Sequence, residues 1–157
     1  MADAEYLRLL LRYHEEEVSG AAYFDALARA ARDADSRDKL ALLAAVERRA
    51  AATVAPLLDQ YGLRPRDEAT LRTEGESDAI RHLGLAWSKL VDHIATTYPR
   101  YMDAFETLER MAPASDLAAL KRLTRHDTVT IDFAERERKG DRNSVDSLRD
   151  YLEERLV

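Results

Sequence analysis

Apolar residues recur along this chain at steps of three and four, the spacing of one helix face, over four long stretches. The first stripe reads Tyr6-Leu10-Tyr13-Glu17-Gly20-Phe24-Leu27 and the second Leu40-Leu43-Glu47-Ala50-Val54-Leu57-Tyr61. The third reads Ile80-Leu83-Trp87-Leu90-Ile94-Tyr98-Tyr101-Phe105-Leu108 and the fourth Leu120-Leu123-Asp127-Thr130-Ala134. These patterns predict main helices over about residues 4–32, 36–61, 78–111 and 116–139. A tail helix over about 144–156 carries Val145, Leu148, Leu152 and Leu156. No strand-like alternation of useful length is present.

The punctuation fits these elements. Asp33-Ala34-Asp35-Ser36 makes a short break in which Asp35 or Ser36 is placed to cap the second helix, and Gly62 ends that helix. Pro56 falls on its polar side. Pro99 interrupts the third stripe without shifting its phase, which predicts one kinked helix or two in line. Residues 62–77, with Pro65, Gly75 and many charges, form the longest connection, and Ala112-Pro113-Ala114-Ser115 is a second short turn. Short links join antiparallel neighbours, whereas a link of about fifteen residues can cross the length of a bundle. The expectation is one all-α domain over residues 1–157, an antiparallel four-helix bundle with a long crossover between its second and third helices.

Three stripes are interrupted by an acid where a leucine belongs. Glu17, Glu47 and Asp127 each lie near the middle of a predicted helix, within roughly 30° of the centre of its apolar face. A lone ionised carboxylate in a core costs several kcal/mol unless it is paired, hydrogen-bonded, protonated or bound to a cation. Antiparallel helices of similar length bring their midpoints level, so the three side chains are expected to converge on one buried polar site. His14 and His126 fall about a quarter-turn from their stripe centres and His82 and His93 farther. All four are therefore expected at boundaries or in solvent. Tyr13, Tyr98, Tyr101 and Trp87 project from core stripes as potential donors to the acids.

Composition narrows the classes. Charged residues are 34% of the 157-residue chain and the hydrophobic class 46%, the net charge is -6, and both signs are interspersed. That mixture suits a folded helical domain and offers no basic patch for nucleic acid. The absence of cysteine removes disulfides, thiolate metal sites and cysteine nucleophiles. No apolar run reaches the ~18 residues of a membrane span, and the acidic start Met1-Ala2-Asp3-Ala4-Glu5 is unlike a signal peptide. A cytoplasmic protein with no membrane or nucleic-acid partner is expected.

Taken with the mid-helix carboxylates, the chain resembles the ferritin-like superfamily, whose bundles hold two metal ions between carboxylates. The resemblance covers about residues 4–139 and implies Glu17, or its neighbour Glu16, as the acid of the first helix. Where the family has Glu-x-x-His on the second and fourth helices, this chain has Glu47-Arg48-Arg49-Ala50 and Asp127-Thr128-Val129-Thr130. The third helix offers Ile94 and Tyr98 in place of the family's acid. The resemblance implies iron or manganese as metal, held by Glu17, Glu47 and Asp127, with Glu16 and His126 in second rank. His126 would serve only if the fourth helix were rotated from its stripe. Without imidazole the set is an all-oxygen site that favours manganese, magnesium or calcium, or it shares protons and binds no metal.

Two functions follow from this pattern. One is a metal-binding protein of oxidase or metal-handling type. The other is a metal-free, degenerate bundle that serves as a binding or assembly module. A homo-oligomer, dimer or larger, and a small-molecule ligand held between the helices are the expected partners. No residue pattern indicates a substrate.

Overall fold

The computed structural model describes residues 2–154, and all regular structure among them is helical. The α-helices are α1 (Ala4–Ala30), α2 (Ala34–Gln60), α3 (Glu68–Ile80), α4 (Trp87–Thr97), α5 (Met102–Met111), α6 (Leu117–Arg138) and α7 (Asp146–Glu153). No helix among the described residues is long and apolar enough to cross a membrane.

The caps show why α1 and α2 begin where they do. The Asp3 carboxylate accepts from the Glu5 amide at 2.7 Å, and Asp33 accepts from the Ser36 amide at 2.8 Å. Each satisfies a donor that has no partner within its helix. The cap of α2 is thus Asp33 rather than Asp35 or Ser36, and the helix starts two residues earlier than the apolar pattern suggests. Pro56 is exposed inside α2, where its missing donor and its ring face solvent.

Two expectations are corrected between residues 62 and 86. The connection is not a plain link, because α3 occupies most of it and lies against α1. Its buried face is only Leu71, Gly75 and Ala79, one residue per turn and two of them small, so its stripe is faint in the sequence. Smallness is what the seat requires: a Cβ at Gly75 would collide with the Ser19 carbonyl oxygen and stand 3.0 Å from the Ala22 methyl. Ser19 Oγ donates to the Leu71 carbonyl at 3.0 Å and fixes the same contact. Gly75→Ala is therefore expected to cost about 1–3 kcal/mol in urea denaturation, as overpacked helix contacts do. An unchanged midpoint would mean that α3 is not seated on α1.

The helix expected from about residue 78 starts instead at Trp87, as α4. Residues 81–86 leave the helical path through Gly84 at φ 85, and the stripe positions Ile80 and Leu83 are 67% and 45% exposed instead of core. Their apolar character mimicked helical phase without being buried. At Pro99 the chain tightens into a 3-10 turn, Tyr98–Tyr101, and resumes as α5. The tail helix is shorter than expected, with Leu148 and Tyr151 buried; Leu156 lies outside the described residues.

The core has two halves. One gathers Phe24, Leu43, Ile94, Phe133 and Leu148, and the other Tyr6, Leu10, Val54, Leu108 and Leu120. A buried polar contact closes each outer end. The hydroxyls of Tyr6 and Tyr61 donate to Asp116 Oδ2 at 2.8 and 2.5 Å. Trp87 Nε1 and Lys39 Nζ both donate to Glu137 Oε1 at 2.8 Å. The starts of α2 and α4 therefore share one end, and the starts of α1 and α6 share the other. The mid-helix acids lie between the two apolar halves.

Candidate functional site

The centre of the molecule holds a carboxylate–imidazole cluster. Glu17 from α1, Glu47 from α2 and His126 from α6 are 5%, 2% and 1% exposed. His126 Nε2 lies 2.7 Å from Glu17 Oε2 and 3.4 Å from Glu47 Oε2. One donor atom from each residue falls within 4.8 Å of the others, the spacing of ligands around a single ion. The Tyr98 hydroxyl donates to Glu47 Oε1 at 2.5 Å, so the turn at Pro99 delivers the contribution of the α4–α5 segment. Gly20, one turn beyond Glu17, makes room for the carboxylate: a Cβ there would stand 3.2 Å from Glu47 Cδ.

The electrostatics of the trio are coupled. Burial, and then the charge of Glu47, push the Glu17 carboxyl well above the usual carboxylate range. Burial acts on Glu47 in the same direction, but the hydrogen bond from Glu17 and the charge of His126, helped by Tyr98, hold it below the ordinary value. Burial disfavours charge on His126, yet Glu17 and Glu47 raise its pKa well above that of a free imidazole. Its Nδ1 also meets the Leu123 carbonyl, so both ring nitrogens face oxygen acceptors, as an imidazolium requires. The His126 imidazole is therefore held in its charged form by two buried carboxyls whose protonation is coupled.

Asp127 is equally deep at 1% exposed, but its oxygens are not among the converging ligand atoms. Its Oδ2 has no hydrogen-bond partner. Burial raises its pKa to about 7, with His126 opposing and Glu47 adding to the shift. A cavity of about 560 Å³ is lined at depth by Glu17, Glu47, His126 and Asp127, with walls from Ile94, Tyr98, Tyr101 and Phe105. At its mouth the Tyr23 hydroxyl bonds His82 Nδ1 at 2.9 Å, and the His82 and His93 ring centroids are 4.3 Å apart.

Glu17 and Glu47 meet as expected, and Asp127 shares their depth beside them. Glu16 is only half-buried, paired with Arg12 at 3.1 Å on the cavity rim. His126 is corrected from a boundary residue to a member of the cluster. The reason lies in α6, which is enclosed by α2, α4, α5 and α7 and so buries more than one stripe. A second stripe, Leu123-His126-Val129-Phe133, was visible in the sequence and is buried throughout. His14 is also buried, with Nδ1 3.2 Å from the Ala51 carbonyl at the α1–α2 contact. Of the other expected donors, Trp87 serves Glu137 and Tyr13 packs on Phe105 with centroids 5.1 Å apart.

Comparison of the chain with protein-family models, with curated proteins and with solved structures gives no significant match. The donor set of the cluster is no longer all-oxygen: two carboxylates and one imidazole suit iron, manganese or zinc better than magnesium or calcium.

Proposed function

We propose that the protein binds a divalent transition metal through Glu17, Glu47 and His126 and acts as an oxidase-type or metal-handling protein of ferritin-like architecture. The single observation that carries this reading is the convergence of those three buried donors from three helices beside an open cavity. In the same reading α1, α2, α4 with α5, and α6 are the four bundle helices, and the segment through α3 is the crossover from one end to the other.

The residues fit such an ion. Glu17 and His126 release protons when they become ligands, so binding is expected to tighten as pH rises. Asp127, with one oxygen unpartnered, sits next to the ligand set. A bound iron or manganese supplies redox chemistry, and zinc a Lewis acid. The chain's own part is to hold the ligands between two apolar half-cores and to orient Glu47 through Tyr98. Equilibrium titration with Mn(II) or Fe(II) under anaerobic conditions tests the reading. One equivalent is expected to bind to the wild type, and Glu47→Gln, which keeps the size but removes the charge, is expected to bind at least about tenfold more weakly. Equal affinity in the two proteins would remove the proposed centre.

One observation favours a second reading, the metal-free module. The His126 ion pair and the Tyr98 hydrogen bond already satisfy Glu17 and Glu47 without any cation. Under that reading the unmodified protein takes up no Mn(II), Fe(II) or Zn(II), and metal leaves its melting temperature unchanged. The expected homo-oligomer has as support the exposed apolar turn carrying Ile80, Leu83 and Leu85.

A further inference from the structure

We infer that a second cavity, where α1 meets α2 and α3, binds an uncharged, largely apolar small molecule that donates one hydrogen bond to His14 Nε2. This site is separate from the carboxylate–imidazole cluster and does not depend on the metal reading.

Shape comes first. The cavity measures about 720 Å³, within the roughly 300–1,000 Å³ of pockets that take organic ligands. It exists because α3 is seated on α1 at Gly75 and supplies one wall, while Arg48 and Ala51 of α2 line it as well. Val18 is half-buried and Pro65 exposed, so both offer it apolar surface, to which the alkyl stems of Arg48 and Arg72 add.

His14 supplies the polar anchor. It lines the cavity and is 9% exposed. Its Nδ1 lies 3.2 Å from the Ala51 carbonyl, and a carbonyl only accepts, so Nδ1 carries the ring hydrogen. In the neutral ring Nε2 is then a bare acceptor. Burial pushes this imidazole below its ordinary pKa, which keeps the neutral form at pH 8. Among the described residues Nε2 has no partner, and it is not one of the side-chain atoms sealed away from solvent. An acceptor so placed on a largely buried side chain calls for a ligand that brings a donor.

The walls decide the charge of that ligand. Arg48 meets Asp25 at 2.7 Å, Arg66 meets Glu74 at 2.6 Å, Arg72 meets Glu68 at 3.1 Å and Arg29 faces Glu76 at 3.9 Å. Every charged residue of the lining therefore already stands opposite one of the other sign. A carboxylate or an ammonium would leave water without gaining an unmatched counter-charge. A neutral ring carrying one N–H or O–H, such as an indole or a phenol, suits both the walls and the acceptor.

Calorimetric titration of the full chain at about pH 8 with indole, N-methylindole, indole carboxylate and tryptamine tests this. N-methylindole lacks the donor, and the last two keep it and add a charge of either sign. Indole is expected to bind saturably and at least about tenfold more tightly than N-methylindole, the scale of leaving a buried acceptor unmet. Neither charged analogue is expected to bind more tightly than indole. In His14→Leu the preference for indole over N-methylindole is expected to vanish. Nitrogen NMR of the unmodified protein should show His14 Nε2 shifting as indole is added, with saturation, while His126 stays in place. No saturable binding of indole, equal binding of N-methylindole, or tighter binding of either charged analogue would overturn the inference. So would a preference retained in folded His14→Leu, or an indole response at His126 rather than His14. If His14→Leu does not fold, the NMR response of the unmodified protein decides.

Discussion

His126→Leu is expected to destabilise the metal-free protein by about 3–5 kcal/mol near pH 7, the usual effect of removing one partner from a buried ion pair. The substitution conserves volume approximately, so the loss is electrostatic rather than a cavity effect. Glu47 would remain charged, with a second carboxyl beside it and only the Tyr98 hydroxyl and the Glu17 proton as donors. The destabilisation should shrink near pH 4.5, where Glu47 can protonate instead. Replacing Glu47 and His126 together by leucine should recover most of it, because no charge is then left unpaired. Urea denaturation of the single and double variants at both pH values measures all three effects. A loss under about 1 kcal/mol for His126→Leu near pH 7 would mean that the imidazole is not the counter-charge of the cluster.

The second large effect belongs to Asp127. Its pKa stands at about 7 in the folded protein against an ordinary value of 3.8. An acid whose pKa is raised by folding holds its proton more tightly in the native state. Between pH 3.8 and about 7 the unfolded chain therefore binds fewer protons than the folded one, and stability falls as pH rises through that window. Below it the contribution is fully present, and above it the slope from this group disappears. Integrated over the window, the loss is on the order of 4 kcal/mol. Asp127→Asn cannot ionise, so the difference in stability between variant and wild type should change by that amount across the window. The variant is expected to be the more stable protein at pH 8, and unfolding measured at half-unit steps of pH gives the curve. A difference that stays flat from pH 4 to 8 would show that Asp127 titrates as if in water.

How far this was readable in the chain depends on what signals burial. Tyr6, Leu10, Phe24, Leu43, Val54 and Leu120 lie on strong stripes and all occupy the core. Glu17 and Glu47 were legible for the same reason, as acids in phase with residues of that kind. His126 is harder to see because it lies off the main apolar stripe of α6, a helix that is covered on several sides. Ile80 and Leu83 misled in the opposite way, since periodicity registers apolar character and not what covers it. The α3 face of Leu71, Gly75 and Ala79 carries almost no hydrophobic signal, although close approach to α1 makes the small residue essential. Tyr98 was a visible candidate donor, but its partner depended on the turn at Pro99, which sets where between α4 and α5 the hydroxyl emerges.

In the proposed function His126, Glu17 and Glu47 act together on one metal ion. The most direct measurement follows the imidazole nitrogens by NMR while Zn(II), a diamagnetic substitute for iron or manganese, is added to metal-free protein. The expected result is a shift of His126 Nε2 that saturates at one equivalent and vanishes in Glu47→Gln, with Nδ1 still protonated. An unmoved His126 nitrogen, or a response confined to His82 and His93 at the cavity mouth, would contradict it.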